Sequence, residues 1–405
     1  MFDLLGFTSI SFVFFITLYL ALRNKEIFKV LIVAFFIRIL FLIINNNFFY
    51  LPDGDMDGLI FEQRGWDWSQ DGFINLYKYF TGPDTYFYSL LISIPYSILG
   101  RSFLMVQSFS ILFGIGSVFL GYILGKKLWE HHTAIKISWL IALFPSLISY
   151  SVLAMREVYI TFFILLAFYG IINWSRKKNL SSIILVISSF IAATFFHGAS
   201  AIGLLVFAAL ITLENIKNTF KLILDKKINI KSILVLILSS VVILAYVLNK
   251  FDIPYIENFG SATDPEKLKF IINTKVKGEA SYPEWTKINS NIELVYKIPL
   301  RAVYFLVSPL PWDVSKTSHL VGLFDSFLYI ILIYLVIRNR QVIWKDPGLR
   351  IVLIILLFYF IVFGVGVGNF GSGIRHRTKF VIGLILLAAP LVPKFIFLKK
   401  VKLNK

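Results

Sequence analysis

The 405-residue sequence contains no cysteine and only 23 acidic residues. The lack of cysteine excludes disulfide bonds, thiol nucleophiles and cysteine-ligated metal sites. Charged residues of both signs make up 16% of the chain, well below their share in soluble domains. Hydrophobic residues instead account for 58%, and the mean hydropathy is +0.78. This composition excludes an ordinary soluble domain and is typical of an integral membrane protein.

The hydrophobic residues are gathered in repeated runs of about 18 to 22 residues that are nearly free of charge. A run of this length crosses a bilayer as an α-helix, and the shorter alternating segments of a membrane β-barrel are not found. We therefore predict an all-α fold, a polytopic transmembrane helical bundle of about 12 spans, which forms a single integral membrane domain over residues 1–405. The predicted spans are 4–22, 28–45, 103–124, 134–150, 157–174, 180–196, 198–213, 232–250, 297–310, 321–337, 350–368 and 379–395.

The formal net charge is +17, which in a soluble protein would suggest a nucleic-acid partner. Here the Lys and Arg residues lie mainly in short loops and in the tail, as the positive-inside rule expects, so no nucleic-acid partner is predicted. The rule places these loops in the cytoplasm, and it places the acidic loop at 52–72 and a long loop insertion at 251–296 outside. We expect a multi-pass protein of the cytoplasmic membrane, in contact with membrane lipids, with its active site on the outer face.

The acidic loop, PDGDMDGLIFEQRGWDWSQDG, contains a quarter of all the acidic residues. Carboxylates at a bilayer surface suit a general base or a divalent-cation site. The loop is not an EF-hand, because Arg64 stands where the twelfth ligand should be, and no metal ligand is assigned. The segment from Gly58 to Trp68 predicts an interfacial amphipathic helix, and residues 86–99 predict a second one. Asp57 and then Asp53 are the candidate catalytic bases; the alternatives are a helix cap at Asp57 and carboxylates that only solvate the loop.

Three further candidates lie at span boundaries on the predicted outer side. Arg156 and Glu157 begin one span, and charges at a membrane boundary are costly and often functional. The alternative is a structural ion pair or an interfacial anchor. His197 lies between two apolar spans, where it could hydrogen-bond a phosphate or be a satisfied structural histidine.

The segment GNFGSGIRHRTKF at 368–380 carries Arg375, His376, Arg377 and Lys379 on the predicted outer side, against the positive-inside rule. Its glycines permit a tight loop whose N–H groups approach an anion. Arginine suits bidentate phosphate contacts, so the two arginines and the histidine are candidate substrate-binding residues. The alternative is attraction to anionic lipid headgroups.

Several of these motifs resemble the glycosyltransferase-C superfamily, notably protein O-mannosyltransferases and the aminoarabinose transferase of lipid A. The order is an acidic outer loop, a short helix ending in ILGRS, then ALFPSLISYSVLAMRE and TFFHGAS. The resemblance covers roughly residues 30–210, the predicted core. It implies that Asp57 or Asp53 is catalytic, that Arg156 and Glu157 line the active site, and that His197 stands near the donor phosphate.

The second half, with FLVSPLPWD and the 368–380 segment, is similar to membrane proteins of surface-polysaccharide biosynthesis, including repeat-unit polymerases. The two resemblances imply a membrane glycosyltransferase of the inverting type. Its donor would be a sugar or oligosaccharide on polyprenyl (undecaprenyl) phosphate or diphosphate, and its acceptor a glycan or lipid. No cofactor is assigned, although a divalent cation is compatible with the carboxylates. The alternatives are a repeat-unit polymerase and, from another class, a transporter or flippase of lipid-linked glycans.

Overall fold

The computed structural model describes residues 3–224, 265–276, 280–315 and 318–393. The regular structure within these residues is helical, which confirms the predicted all-α fold. The predicted span 232–250 and residues 251–264 and 277–279 of the insertion at 251–296 lie outside the described residues. The α-helices are α1 Leu4–Arg23, α2 Phe28–Asn47, α3 Asp57–Ser69, α4 Phe87–Leu99, α5 Phe103–Leu128, α6 His131–Leu143, α7 Pro145–Tyr150, α8 Glu157–Lys177, α9 Leu180–Phe196, α10 Ala201–Leu224, α11 Pro265–Thr274, α12 Asn291–Val307, α13 Ser318–Arg338, α14 Arg340–Lys345, α15 Pro347–Gly366 and α16 Phe370–Ala388.

Six of these helices, α1, α2, α5, α8, α13 and α15, are long and apolar enough to cross a membrane. Shorter apolar helices include α4, α9 and the segment at the start of α10. Many of their large side chains remain exposed, as expected for surfaces that face lipid. The chain is thus a polytopic helical membrane protein, while the number of twelve spans stays a prediction.

Helices α5, α8, α15 and α16 connect the bundle. Helix α5 packs on α1, α6 and α8, while α8 packs on α9 and α16, and α15 packs on α10, α12 and α16. Small residues permit the closest approaches. A Cβ atom added at Gly364 of α15 would lie only 2.5 Å from the Cα atom of Ala302 in α12. These two backbones therefore touch directly.

Two predicted span boundaries are wrong. The span predicted at 134–150 is divided between α6 and α7, because Pro145 cannot continue a helix and instead begins a new one. The span predicted at 379–395 belongs to α16, which begins at Phe370 and is capped by Asn369. The glycine-rich segment that was expected to form a tight loop is therefore the first part of a helix. The charged residues of this segment lower its hydropathy, so the sequence did not indicate a helix there. Their side chains are nevertheless largely buried against partners.

Helices α3 and α4 confirm the two short helices predicted beside the acidic loop, and they pack against each other. The acidic residues other than Asp57 and Asp53 were expected to solvate the loop, but Glu62 does not. The Glu62 side chain is 3% exposed and accepts hydrogen bonds from Tyr96 Oη at 2.7 Å and from both Nε and Nη2 of Arg101. This carboxylate is buried, and α4 and the turn after it supply its hydrogen-bond partners, Tyr96 and Arg101.

Arg101→Met should lower the free energy of unfolding by about 2 kcal/mol, because it leaves the buried Glu62 charge with only Tyr96 as a partner. Unfolding of the purified protein in detergent micelles, followed by circular dichroism, measures the change. Lys78→Met is the matched control, since Lys78 is exposed in the same region and should change stability by less than about 0.5 kcal/mol. Equal stability of the two variants would contradict this role for Arg101.

Candidate functional site

The ends of three helices bring charged residues together at one end of the bundle. Asp57 is the first residue of α3, Glu157 is the first residue of α8, and Arg375 lies in the second turn of α16. Helix α16 packs directly on α8, which explains how residues more than 200 positions apart become neighbours.

Five side chains form what we call the charged cluster, namely Asp57, Glu157, Arg375, His376 and Lys379. Arg375 donates from Nη1 to Asp57 Oδ2 and from Nε to Glu157 Oε1 at 3.1 Å. Lys379 Nζ lies 3.6 Å from the same Glu157 oxygen and 2.8 Å from His376 Nδ1. Asp57 makes no side-chain cap, so the helix-cap alternative does not describe it.

The charged cluster combines a buried interior with one accessible carboxylate. The side chains of Glu157 and Lys379 are fully buried, whereas that of Asp57 is 40% exposed. Glu157 Oε2 is buried and has no hydrogen-bond partner. Two cations therefore surround one buried carboxylate, and charges in such a poorly solvated place interact much more strongly than they would in water. An anion that enters here would meet Arg375 and Lys379 already held in place.

Asp53 lies beside the charged cluster in the loop before α3. Its backbone is in the left-handed region, with φ of 67°, and Tyr150 at the end of α7 donates a hydrogen bond to Oδ2 at 2.7 Å. Burial raises the pKa of Asp53 above its ordinary value, and the Tyr150 bond and the charge of Arg375 oppose that rise. A carboxylate whose pKa is raised toward neutrality is a better proton acceptor, which suits a general base.

A cavity of about 440 Å³ opens beside Asp53. Its walls come from residues 49–55, from α7, and from the first turns of α13 and α16. Asp53 and Tyr150 line it, whereas Asp57 and Glu157 do not. A ligand in this cavity would therefore reach Asp53 first and would approach the charged cluster from one side.

Residues 63–255 match the family model of dolichyl-phosphate-mannose-protein mannosyltransferases, over slightly less than half of the chain. This family is part of the glycosyltransferase-C superfamily, so the resemblance found in the sequence is confirmed. The match supports a membrane glycosyltransferase of the C type. No curated protein and no solved structure gave a significant match. The match overlaps the predicted core at 30–210, whose limits stay a prediction.

His197 and Arg156 border the charged cluster. The His197 ring centre lies 5.3 Å from that of His376 and 5.5 Å from that of Phe363. Arg156 donates from Nη1 to the backbone carbonyls of Thr85 and Phe196, each at 3.2 Å. Arg156 therefore connects the end of α9 to the segment before α4, and it adds positive charge near Glu157 of the charged cluster.

Arg377 occupies a different place from the one expected. The side chain is fully buried and faces α12 and α13, where Nε and Nη2 contact Asp325 Oδ2 at 3.3 and 2.9 Å. Nη2 also donates to Ser326 Oγ, and Nη1 donates to the carbonyls of Leu306 and Ser308. All three nitrogens are thus occupied within the protein. The geometry makes Arg377 a packing residue and gives no support to phosphate binding.

Two residues of the site were not selected from the sequence. Lys379 was noted only as part of a basic segment, although its spacing of four from Arg375 places both on one face of a helix. No sequence motif distinguishes Tyr150, because its contact with Asp53 depends on the break between α6 and α7. Within the described residues no group of three or more His, Asp or Glu side chains could hold a metal ion. No cofactor was assigned from the sequence, and the compatibility of the carboxylates with a divalent cation stays untested.

Proposed function

We propose that this glycosyltransferase transfers a sugar from a polyprenyl phosphate donor to a hydroxyl group of an acceptor glycan or lipid, on the outer face of the cytoplasmic membrane. The observation that carries the proposal is the placement of a proton acceptor, Asp53, near Arg375, which shares the buried Glu157 with Lys379. Glycosyl transfer from a lipid phosphate needs both groups, one for the attacking hydroxyl and one for the departing phosphate.

In the proposed reaction, Asp53 accepts the proton of the acceptor hydroxyl as the oxygen attacks the anomeric carbon. The bond from that carbon to the phosphate oxygen breaks, and its electron pair leaves with the polyprenyl phosphate. Arg375 and Lys379 stabilise the negative charge of the leaving group, as preorganised cations do in other transfer reactions. Attack opposite to the leaving group inverts the anomeric configuration.

Asp57 and Glu157 have a positioning role in this mechanism. Both carboxylates bind Arg375, and they fix its guanidinium group between α3 and α8. Because one oxygen of Asp57 is already engaged in this ion pair and Asp57 does not line the cavity, we prefer Asp53 as the base. From the sequence alone, Asp57 was the first candidate for the base and Asp53 the second.

The donor class follows from the family and from the charge of the site. The name of the matched family specifies a sugar on a dolichyl phosphate, which is one kind of polyprenyl phosphate. The cations Arg375 and Lys379 suit one phosphate group, and their helix α16 packs on the apolar helices α8 and α15. The role in surface-polysaccharide biosynthesis rests on the resemblance of the second half of the sequence.

Incubation of the purified protein in lipid vesicles with undecaprenyl phosphate sugars, undecaprenyl diphosphate sugars and labelled acceptor glycans tests the proposal. A new glycosidic bond in the product, identified by mass spectrometry, is the expected result. Passage of the lipid-linked sugar across the vesicle membrane without bond formation would instead indicate a transporter. Accumulation of single repeat units in cells that lack the protein would indicate a repeat-unit polymerase.

Tyr150→Phe should move the acidic limb of the pH profile of kcat/KM to higher pH. Asp53 is active when deprotonated, so activity falls as the pH drops through its pKa. The Tyr150 hydrogen bond lowers that pKa, and its removal raises it further. Transfer rates between pH 5 and 9 measure the shift. Tyr79→Phe, which removes a similar bond to the exposed Asp71, should leave the limb in place; a limb that does not move in Tyr150→Phe would exclude Asp53 as the base.

A further inference from the structure

Two residues that line the cavity beside Asp53 each have a buried polar atom without a hydrogen-bond partner. Arg377 makes two hydrogen bonds to Asp325, and both go to Oδ2, so the other carboxylate oxygen, Oδ1, has no hydrogen-bond partner. Ser146 Oγ in α7 is likewise buried without a partner. Asp325 and Ser146 both line the cavity, as does Asp53.

Unpaired buried polar atoms are rare because each loses its hydrogen bonds with water and gains nothing in return. The cost is greater for a carboxylate oxygen than for a neutral hydroxyl. When two such residues line the same cavity, a ligand bound there could supply both missing bonds. Asp325 Oδ1 can only accept, so this ligand must present a donor to it.

The chemistry of the walls restricts the class of ligand. Three carboxylates, Asp53, Asp55 and Asp325, line the cavity and would repel a phosphate group. A hydrocarbon chain would leave Asp325 Oδ1 unpaired. Aromatic side chains, among them Phe49 and Phe370, form other parts of the wall. A neutral molecule with several hydroxyl groups and apolar faces, which describes a sugar ring, fits both features.

We propose that the cavity is the acceptor site and that it holds a saccharide, with one hydroxyl directed to Asp53 and others bound by Asp325 Oδ1 and Ser146 Oγ. This inference rests on the proposed glycosyl transfer and specifies that the acceptor is a glycan. The cavity volume of about 440 Å³ lies within the range of small-molecule sites. The lipid phosphate of the donor then reaches the charged cluster from the other side of Asp53.

Binding measured without any donor tests the inference separately from transfer. The probes are the methyl glycosides of glucose, galactose, mannose and N-acetylglucosamine, with farnesyl phosphate as the probe for the lipid donor. Ser146→Ala removes one predicted contact and should weaken glycoside binding roughly three- to tenfold. Val321→Trp should weaken it at least about tenfold by filling the mouth, since Val321 is exposed and lines the cavity. Saturation-transfer NMR gives the dissociation constants.

Ser89→Ala is the matched control, because Ser89 Oγ is also buried and unpaired but does not line this cavity. Its glycoside affinity should equal that of the original protein, and all variants should keep their affinity for farnesyl phosphate. If none of the four glycosides binds, or if Ser146→Ala and Val321→Trp weaken only farnesyl phosphate, the proposal is overturned. Glycoside binding together with an absence of transfer would instead contradict the proposed function and leave the saccharide site standing.

Discussion

Asp53→Asn should reduce kcat/KM for glycosyl transfer about a thousandfold, the usual order of the contribution from a general base. The amide has nearly the shape of the carboxylate and can still accept the hydrogen bond from Tyr150, but it cannot take a proton at neutral pH. Asparagine also tolerates the left-handed backbone at this position, where φ is 67°. Folding should therefore be retained, and initial rates with a labelled polyprenyl phosphate sugar measure the loss.

Two comparisons make this result specific. Asp67→Asn replaces an exposed carboxylate in the same acidic loop and should change kcat/KM by less than about twofold. Asp57→Asn weakens one of the two contacts of Arg375 and should cost about ten- to a hundredfold, less than the loss of the base. A greater loss in Asp57→Asn than in Asp53→Asn would transfer the role of base to Asp57.

The sequence indicates that Asp57 and Glu157 begin helices, but it does not indicate which residue of another helix lies beside them. Asp57 was placed at the start of an interfacial helix in the acidic loop and Glu157 at the start of a span, and both begin a helix in the structure. Their common partner, Arg375, follows Glu157 by 218 positions, and hydropathy contains no information about which spans adjoin. Only the three-dimensional packing of α8 on α16 shows that Arg375 lies beside Glu157.

The roles of Arg375 and Arg377 differ because of the phase of one helix. Successive residues of an α-helix are rotated by about 100°, so two residues separated by two positions lie on nearly opposite faces. Arg375 and Lys379 face the charged cluster, while Arg377 faces Asp325. When the segment 368–380 was interpreted as a loop, this difference was lost, and both arginines were given the same role. Recognition of Asn369 as a helix cap would have separated them.

Arg375→Lys and Arg377→Lys should therefore fail in different ways. Lysine at 375 keeps the positive charge but cannot bridge Asp57 and Glu157 as the guanidinium group does, so kcat should fall about a hundredfold. Lysine at 377 loses several hydrogen bonds of a fully buried side chain and weakens the ion pair with Asp325. We expect a loss of about 3–5 kcal/mol in the free energy of unfolding there.

Rates corrected for the folded fraction, together with unfolding curves in detergent micelles, separate the two effects. Arg375→Lys should unfold close to the original protein, because Lys379 still neutralises Glu157. Arg377→Lys should keep kcat within about threefold at saturating acceptor in the molecules that fold, since Arg377 contacts no part of the charged cluster. The reverse pattern, a stable but inactive Arg377→Lys and an active Arg375→Lys, would place the donor phosphate beside α12 and α13 and away from Glu157.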